Sequence, residues 1–366
     1  MAKNVTVEHE QRQAAARVWQ QRWGYAALPL LGVLLLAVML LAVSFGSVPV
    51  PIGTIAQVIL NGTGVFHFAR HWDTATELII WQIRMPIVVA AALVGAALSV
   101  AGVLFQGMLR NPLADPFLIG TSSGAALGAT VAFVLPLNAV YGAFLPITPV
   151  LAFVGAMLAV LFVYTIARSG GSTPVVTLLL AGVVVNAVLV ALQTLILTLS
   201  QFSNLGLQAL FNWVSGGISV VSWSPDLIVG ALILVGIACA LMLAPSLDVF
   251  ALGEEEAAFL GLHVERRKFI IIIVASLLTS AAVSISGLIG FVGLVVPHTM
   301  RLLLGPRHRL LLPASALGGA IFLTLADLLA RVIIAPAVLP VGIFTALVGA
   351  PFFLYLLRRG KREYRW

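Results

Sequence analysis

Residues 174–199 read PVVTLLLAGVVVNAVLVALQTLILTL. No Asp, Glu, Lys or Arg interrupts the run. A helix that crosses a bilayer needs about 20 largely apolar residues, so this stretch is read as a membrane span. Working outward from it, the chain offers nine more such runs, at 25–45, 86–107, 115–135, 147–167, 224–245, 268–287, 290–304, 310–331 and 340–357. The expected fold is an all-α polytopic membrane protein of about ten transmembrane helices. Composition agrees: 61% of residues are hydrophobic and 9% charged, which leaves a soluble protein too little polar surface.

Charge orients the bundle. Lys and Arg together number 20. Placing the N-terminus inside gives the inner face Lys3, Arg12, Arg17, Arg22, Arg110, Arg168, Arg266, Arg267, Lys268, Arg301, Arg307 and Arg309. The tail adds Arg358, Arg359, Lys361, Arg362 and Arg365. The outer face keeps Arg70, Arg84 and Arg331. The positive-inside rule then predicts N-in, C-in and an even number of spans; the expected location is the cytoplasmic (inner) membrane. The chain divides into a cytoplasmic tail 1–23, a transmembrane domain 24–358 and a cytoplasmic tail 359–366. The first apolar run is too long for most cleaved signal peptides and is read as an uncleaved span. Net charge is +7. The basic residues are scattered over membrane-edge turns, so lipid, not nucleic acid, is the partner they imply.

Several chemistries have no residues to carry them. The chain has no Gly-x-x-x-x-Gly-Lys-Ser/Thr phosphate loop and no His-Glu-x-x-His. Its six histidines are dispersed, and its one cysteine, Cys239, lies in a span. No catalytic, cofactor or metal residue is assigned, and the chain is read as a non-enzyme. Ionisable residues deep in the membrane are rare. Asp327 stands four residues before Arg331, a spacing that favours a structural ion pair on one helix. Asn186, Gln193 and Thr194 form the one polar patch on span 174–199 and are candidates for lining a pathway. Small-residue stripes at Ala90–Gly102, at Gly120, Gly124 and Gly128, and at Gly318-Gly319 predict close helix packing.

Two connections are longer than turns. The outer stretch 46–84 carries Phe66, Phe68, Trp72 and Trp81, residues typical of a membrane interface. The inner stretch 246–268 reads as two short helices broken at Gly253. Glu254, Glu255 and Glu256 open the second, where the helix dipole favours negative charge, and Gly261 stops it.

Four groups of residues resemble one family. They are Arg84-Met85-Pro86 with Leu93–Gly102; Gln106–Pro116 with Gly120–Ala125; Leu252–Ala258 with Leu260-Gly261; and Ser286–His298 with His308-Arg309, Ala326-Asp327, Leu339–Gly342 and Gly349–Phe353. The chain resembles the FecCD family, the permeases of ATP-binding-cassette importers for ferric siderophores, haem and vitamin B12. The resemblance implies a dimer, homodimeric or close to it, with the fifth and tenth spans lining a central path. It implies a cytoplasmic ATPase dimer, carrying ATP and Mg, that docks on the inner helices. Val249, Phe250, Leu252, Gly253, Glu254, Glu255, Glu256, Phe259, Leu260 and Gly261 would make that contact. It also implies a periplasmic or lipid-anchored binding protein received by Arg84 and Arg331. Ile87, Val338 and Arg307 stand where the family often has Arg, Glu and Asp. The function expected is import of a metal chelate by alternating access. The main other reading is an ion-coupled secondary transporter, which would show more charge near the membrane midplane; the second is an intramembrane enzyme, against which the lack of metal or nucleophile motifs weighs.

Overall fold

The computed structural model describes residues 24, 26–46, 49–62, 66–135, 146–200, 204–218 and 223–363. The expected tail 1–23 and Arg365 lie outside the described residues. The described residues are helical throughout, joined by turns. The long helices are α1 (Ala26–Ser44), α3 (Thr74–Met108), α5 (Ile147–Ala167), α6 (Val175–Leu199), α8 (Trp223–Phe250), α10 (Val264–Ser286) and α12 (His308–Val332). Shorter ones are α2 (Ile52–Gly62), α4 (Thr121–Val134), α7 (Asn204–Val214), α9 (Glu254–Phe259), α11 (Val292–Leu304) and α13 (Val341–Glu363). The seven long helices are long and apolar enough to cross a bilayer. The other three expected spans correspond to shorter apolar helices, α4, α11 and the apolar part of α13 (Val341–Leu356).

Helix α3 is the axis of the subunit. It is built from Ala and Gly, and nearly every residue from Ala90 to Gln106 is buried. A Cβ on Gly95 would collide with the Gly319 carbonyl of α12, and one on Gly102 with the Gly293 carbonyl of α11. Gly124 of α4 likewise meets the Gly155 carbonyl of α5. In lipid, where apolar burial drives little helix association, such backbone-to-backbone approach supplies the packing.

The structure differs from the sequence expectations at element ends. Helix α3 starts at Thr74, not near residue 86. Asp73 caps it, accepting from the Thr76 amide at 2.9 Å. It continues past Pro86 because residues Ile79–Arg84 form a π turn. The wider turn absorbs a proline that would otherwise break the helix. The first of the two expected inner helices is the end of α8, which runs through Pro245 to Phe250.

Helices α4 and α11 have 14 and 13 residues, too few to reach across about 30 Å of hydrocarbon. A 3-10 turn at Pro116–Ile119 precedes α4, and non-helical residues 287–291 precede α11. Irregular backbone at membrane depth must be enclosed by protein. Helix α7 provides part of that enclosure. Its Trp213 packs among Ala125, Ala129, Ala156 and Val283, and Gly287 lies against the Trp213 carbonyl.

Candidate functional site

The inner face is organised around α9. Gly253 has φ 131° and turns the chain out of α8. Gly261, φ 84°, turns it into α10. Both are left-handed positions that favour glycine. Between them the short helix rests on buried Ala257 and lifts apolar side chains into the open. Phe259 is 89% exposed, Leu260 65% and Leu252 59%. Of the other residues expected there, Glu255 and Glu256 are exposed, Val249 is half-buried, and Phe250 is wholly inside. Phe250 therefore roots the segment in the core, while Leu252, Phe259 and Leu260 form its apolar outer surface.

The segment is not loose. Lys268, 3% exposed, donates to Glu254 Oε2 at 2.5 Å, to Glu265 Oε1 at 3.3 Å and to the Thr173 carbonyl at 3.2 Å. Burying an ammonium group is costly unless it is paired and fully hydrogen-bonded, and here three acceptors meet it. Glu254 opens α9, Lys268 and Glu265 belong to α10, and Thr173 stands just before α6. One side chain thus joins three elements. In sequence Lys268 is the third member of Arg266-Arg267-Lys268, and nothing marks it from its neighbours. Its place on the inward side of α10 is what singles it out.

Neither of the two outer arginines stands free. Arg84, buried, donates to the Val43 and Ser44 carbonyls at 2.7 and 3.1 Å. Those are the last carbonyls of α1, where a cation is favoured. Arg331 Nε donates to Asp327 Oδ2 at 2.9 Å, the i, i+4 pair that the spacing predicts.

On α6, Asn186 Oδ1 accepts from Ser123 of α4 at 2.5 Å, and Gln193 Nε2 donates to Thr130 of α4 at 3.1 Å. Both amides therefore face into the subunit. Thr194 is exposed and donates to the Val190 carbonyl of its own helix. The outward face of α6 is instead apolar: Val176, Leu180, Val184, Leu195 and Leu199 are all exposed. Helix α13 shows the same trait at Leu347, Val348 and Leu354. Among the described residues no group of His, Cys, Asp and Glu is placed to hold a metal ion.

The FecCD transport family matches residues 34–359. An uncharacterized ABC transporter permease of Bacillus subtilis is 44% identical, covering 96% of this chain and 98% of that protein. The cobalamin import system permease of Halobacterium salinarum is 40% identical over 95% of this chain and 98% of its own. The hemin transport system permease of Yersinia pestis is 40% identical over 81% and 89%. A solved inward-facing conformation of a metal-chelate type ABC transporter superposes with TM-score 0.78, at 29% identity, over 91% of this chain and 99% of that one. Matched in sequence over most of its length and in helical fold over nine-tenths of it, the chain belongs to the FecCD transport family, the multi-pass cytoplasmic-membrane permeases, not enzymes, of ATP-binding-cassette importers.

Proposed function

We propose that the chain, paired with a second copy of itself, imports a metal chelate by alternating access, driven by an ATPase pair seated on α9. The observation that carries this is the apolar surface of Leu252, Phe259 and Leu260 raised on a helix that Lys268 ties to the base of α6. A displacement of α9 by the ATPase reaches Thr173 through one buried side chain held by three acceptors. Helix α6 then moves, and its unpartnered apolar face, with that of α13, borders the path at the dimer axis. ATP and Mg belong to the ATPase. A binding protein delivers the chelate at the outer edge, on the side that carries Arg84 and Arg331, with Arg84 holding the end of α1 in place.

Cobalamin, hemin, Fe(3+)-citrate and iron(3+)-hydroxamate appear in the names of relatives. All are bulky metal complexes, and that shared class is the substrate assigned. The test is uptake and chelate-stimulated ATP hydrolysis in vesicles holding the permease, its ATPase and its binding protein. A panel of cobalamin, haem and ferric chelates is offered. One class should stimulate both. An intact assembly that responds to none would sink the reading.

A further inference from the structure

A second feature adjoins α9 on the inner face. Helix α3 ends at an arginine in the left-handed region: Arg110 has φ 52°, and the Asn111 N–H closes onto the Gln106 carbonyl at 3.1 Å. Glycine takes this helix-stop conformation freely, whereas a residue with a Cβ is strained in it. Strain retained in a turn is a reason to ask what the side chain does there.

Arg110 edges a cleft of about 700 Å³ whose lining includes Gln106, Asp248, Arg301, Arg307 and His308. Three guanidinium groups face one carboxylate, and that carboxylate is already engaged. Asp248 Oδ1 accepts from the His308 backbone N–H at 3.0 Å and lies 2.7 Å from His308 Nδ1. Arg301 is fixed in place, donating to Gln106 Oε1 at 3.0 Å. Gln106 is itself buried and donates to the Gly293 carbonyl at 3.2 Å. A membrane-edge anchor would extend toward lipid headgroups on a mobile stem; Arg301 is held by a buried amide instead.

The position of the cleft favours a protein partner over lipid. Its floor is the end of α3, the axis of the subunit. Its lip at Ala251 adjoins exposed Leu252. Next to it, a smaller hollow of about 470 Å³ is lined by Glu254, Glu255 and Glu256, and Arg110 borders both. A protein that covers Leu252, Phe259 and Leu260 also lies over two adjoining hollows of opposite sign.

We propose that the cationic cleft receives an acidic segment of the ATPase partner and so fixes the register of that partner on the permease. The apolar residues of α9 supply adhesion; the cleft supplies orientation and speeds encounter, as complementary charge does at interfaces. The proposal rests on the reading of α9 as the ATPase seat.

Two substitutions remove charge without endangering the fold. Arg110→Gly relieves the strained turn. Arg307→Ser places a favoured N-cap residue before α12, where Arg307 makes no side-chain cap. In detergent, the double variant should bind the purified ATPase roughly tenfold more weakly at low salt, mainly through slower association. The difference should shrink as salt is raised. A triple Leu252→Ser, Phe259→Ser, Leu260→Ser variant serves as the control. If the triple variant loses the ATPase while the double variant binds normally at every salt, the cleft proposal falls and the α9 reading stands. If neither changes binding, both fall. If the double variant binds normally in detergent but loses a dependence of activity on anionic lipid in vesicles, the cleft is a headgroup site and the proposal is overturned.

Discussion

Helices α3 and α6 are nearly alike in hydropathy, yet 78% of the most apolar stretch of α3 is buried in the subunit and only 22% of that of α6. The bilayer explains the difference. Lipid tails are as apolar as leucine, so hydrophobicity sends a segment into the membrane without deciding whether protein or lipid surrounds it. Side-chain size decides that. Helix α3 is Ala and Gly where neighbours approach. Helix α6 is Val and Leu, with only Leu178, Ala181, Gly182 and Val185 buried. Adding volume to α3 is therefore expected to be far more damaging than adding it to the outward face of α6.

The largest effect should come from Gly102→Leu. Its new side chain would enter the Gly293 backbone, and no rotamer avoids that. The expected outcome is loss of the monodisperse peak in fluorescence-detected size exclusion. Val184→Leu, on the exposed side of α6, should leave the same profile unchanged. Equal damage from both would break the comparison.

Lys268→Met tests the connection between core and perimeter. It leaves Glu254, Glu265 and the Thr173 carbonyl without their shared donor. Glu254 is partly exposed, which moderates the loss to about 1–3 kcal/mol. Thermal unfolding should shift down, and ATP hydrolysis in the assembled importer should continue with transport lost. Lys268→Arg should recover part of both.

Arg84→Ala removes two hydrogen bonds from the last turn of α1 and should destabilise the α1–α3 contact by about 1–3 kcal/mol. A cysteine at Ser44 would then react faster with a polar maleimide. Asn186→Val on α6 loses one bond to Ser123 and should cost about 1 kcal/mol, the least of the packing changes because α6 is held on one side only.

Asp115 gives the smallest effect. It caps the turn before α4, accepting from the Phe117 N–H at 2.8 Å. Asn keeps the acceptor, so Asp115→Asn should leave the thermal midpoint almost unchanged, whereas Asp115→Ala removes the cap and should cost about 1 kcal/mol. Equal midpoints for the two variants would remove the cap from the account.

The seven long spans were legible because each is a long apolar run, and the Asp327–Arg331 pair because both members lie on one helix face. Close packing at Gly95, Gly124 and Gly319 was legible for a similar reason, since small residues in stripes have few other uses in lipid. Element ends were less so: a π turn that admits Pro86 leaves no mark in hydropathy. The inner site was half legible. Glycines and acids outlined α9, but Phe250 and Leu252 look alike in a string of letters while one is core and the other surface. Lys268 gave no signal, and Gln106 and His308 stood in family-like stretches without showing what they touch, because the partners lie 14 to 195 residues away. On α6 the letters alone do not separate packing from pathway: Asn186 and Gln193 bond Ser123 and Thr130 of α4, while Thr194 is exposed.

Where Gly95 meets Gly319 and Gly102 meets Gly293, one main chain rests directly on another. Side chains between helices act as cushions: they change rotamer and let one helix slide past its neighbour. No cushion exists at these points. Helices α3, α11 and α12 therefore form a strut that can tilt as a whole but cannot shear internally. Whatever moves in this subunit, relative motion between these three helices is not available at those contacts. The stiffness of the centre sets how far a small push on the inner face is carried.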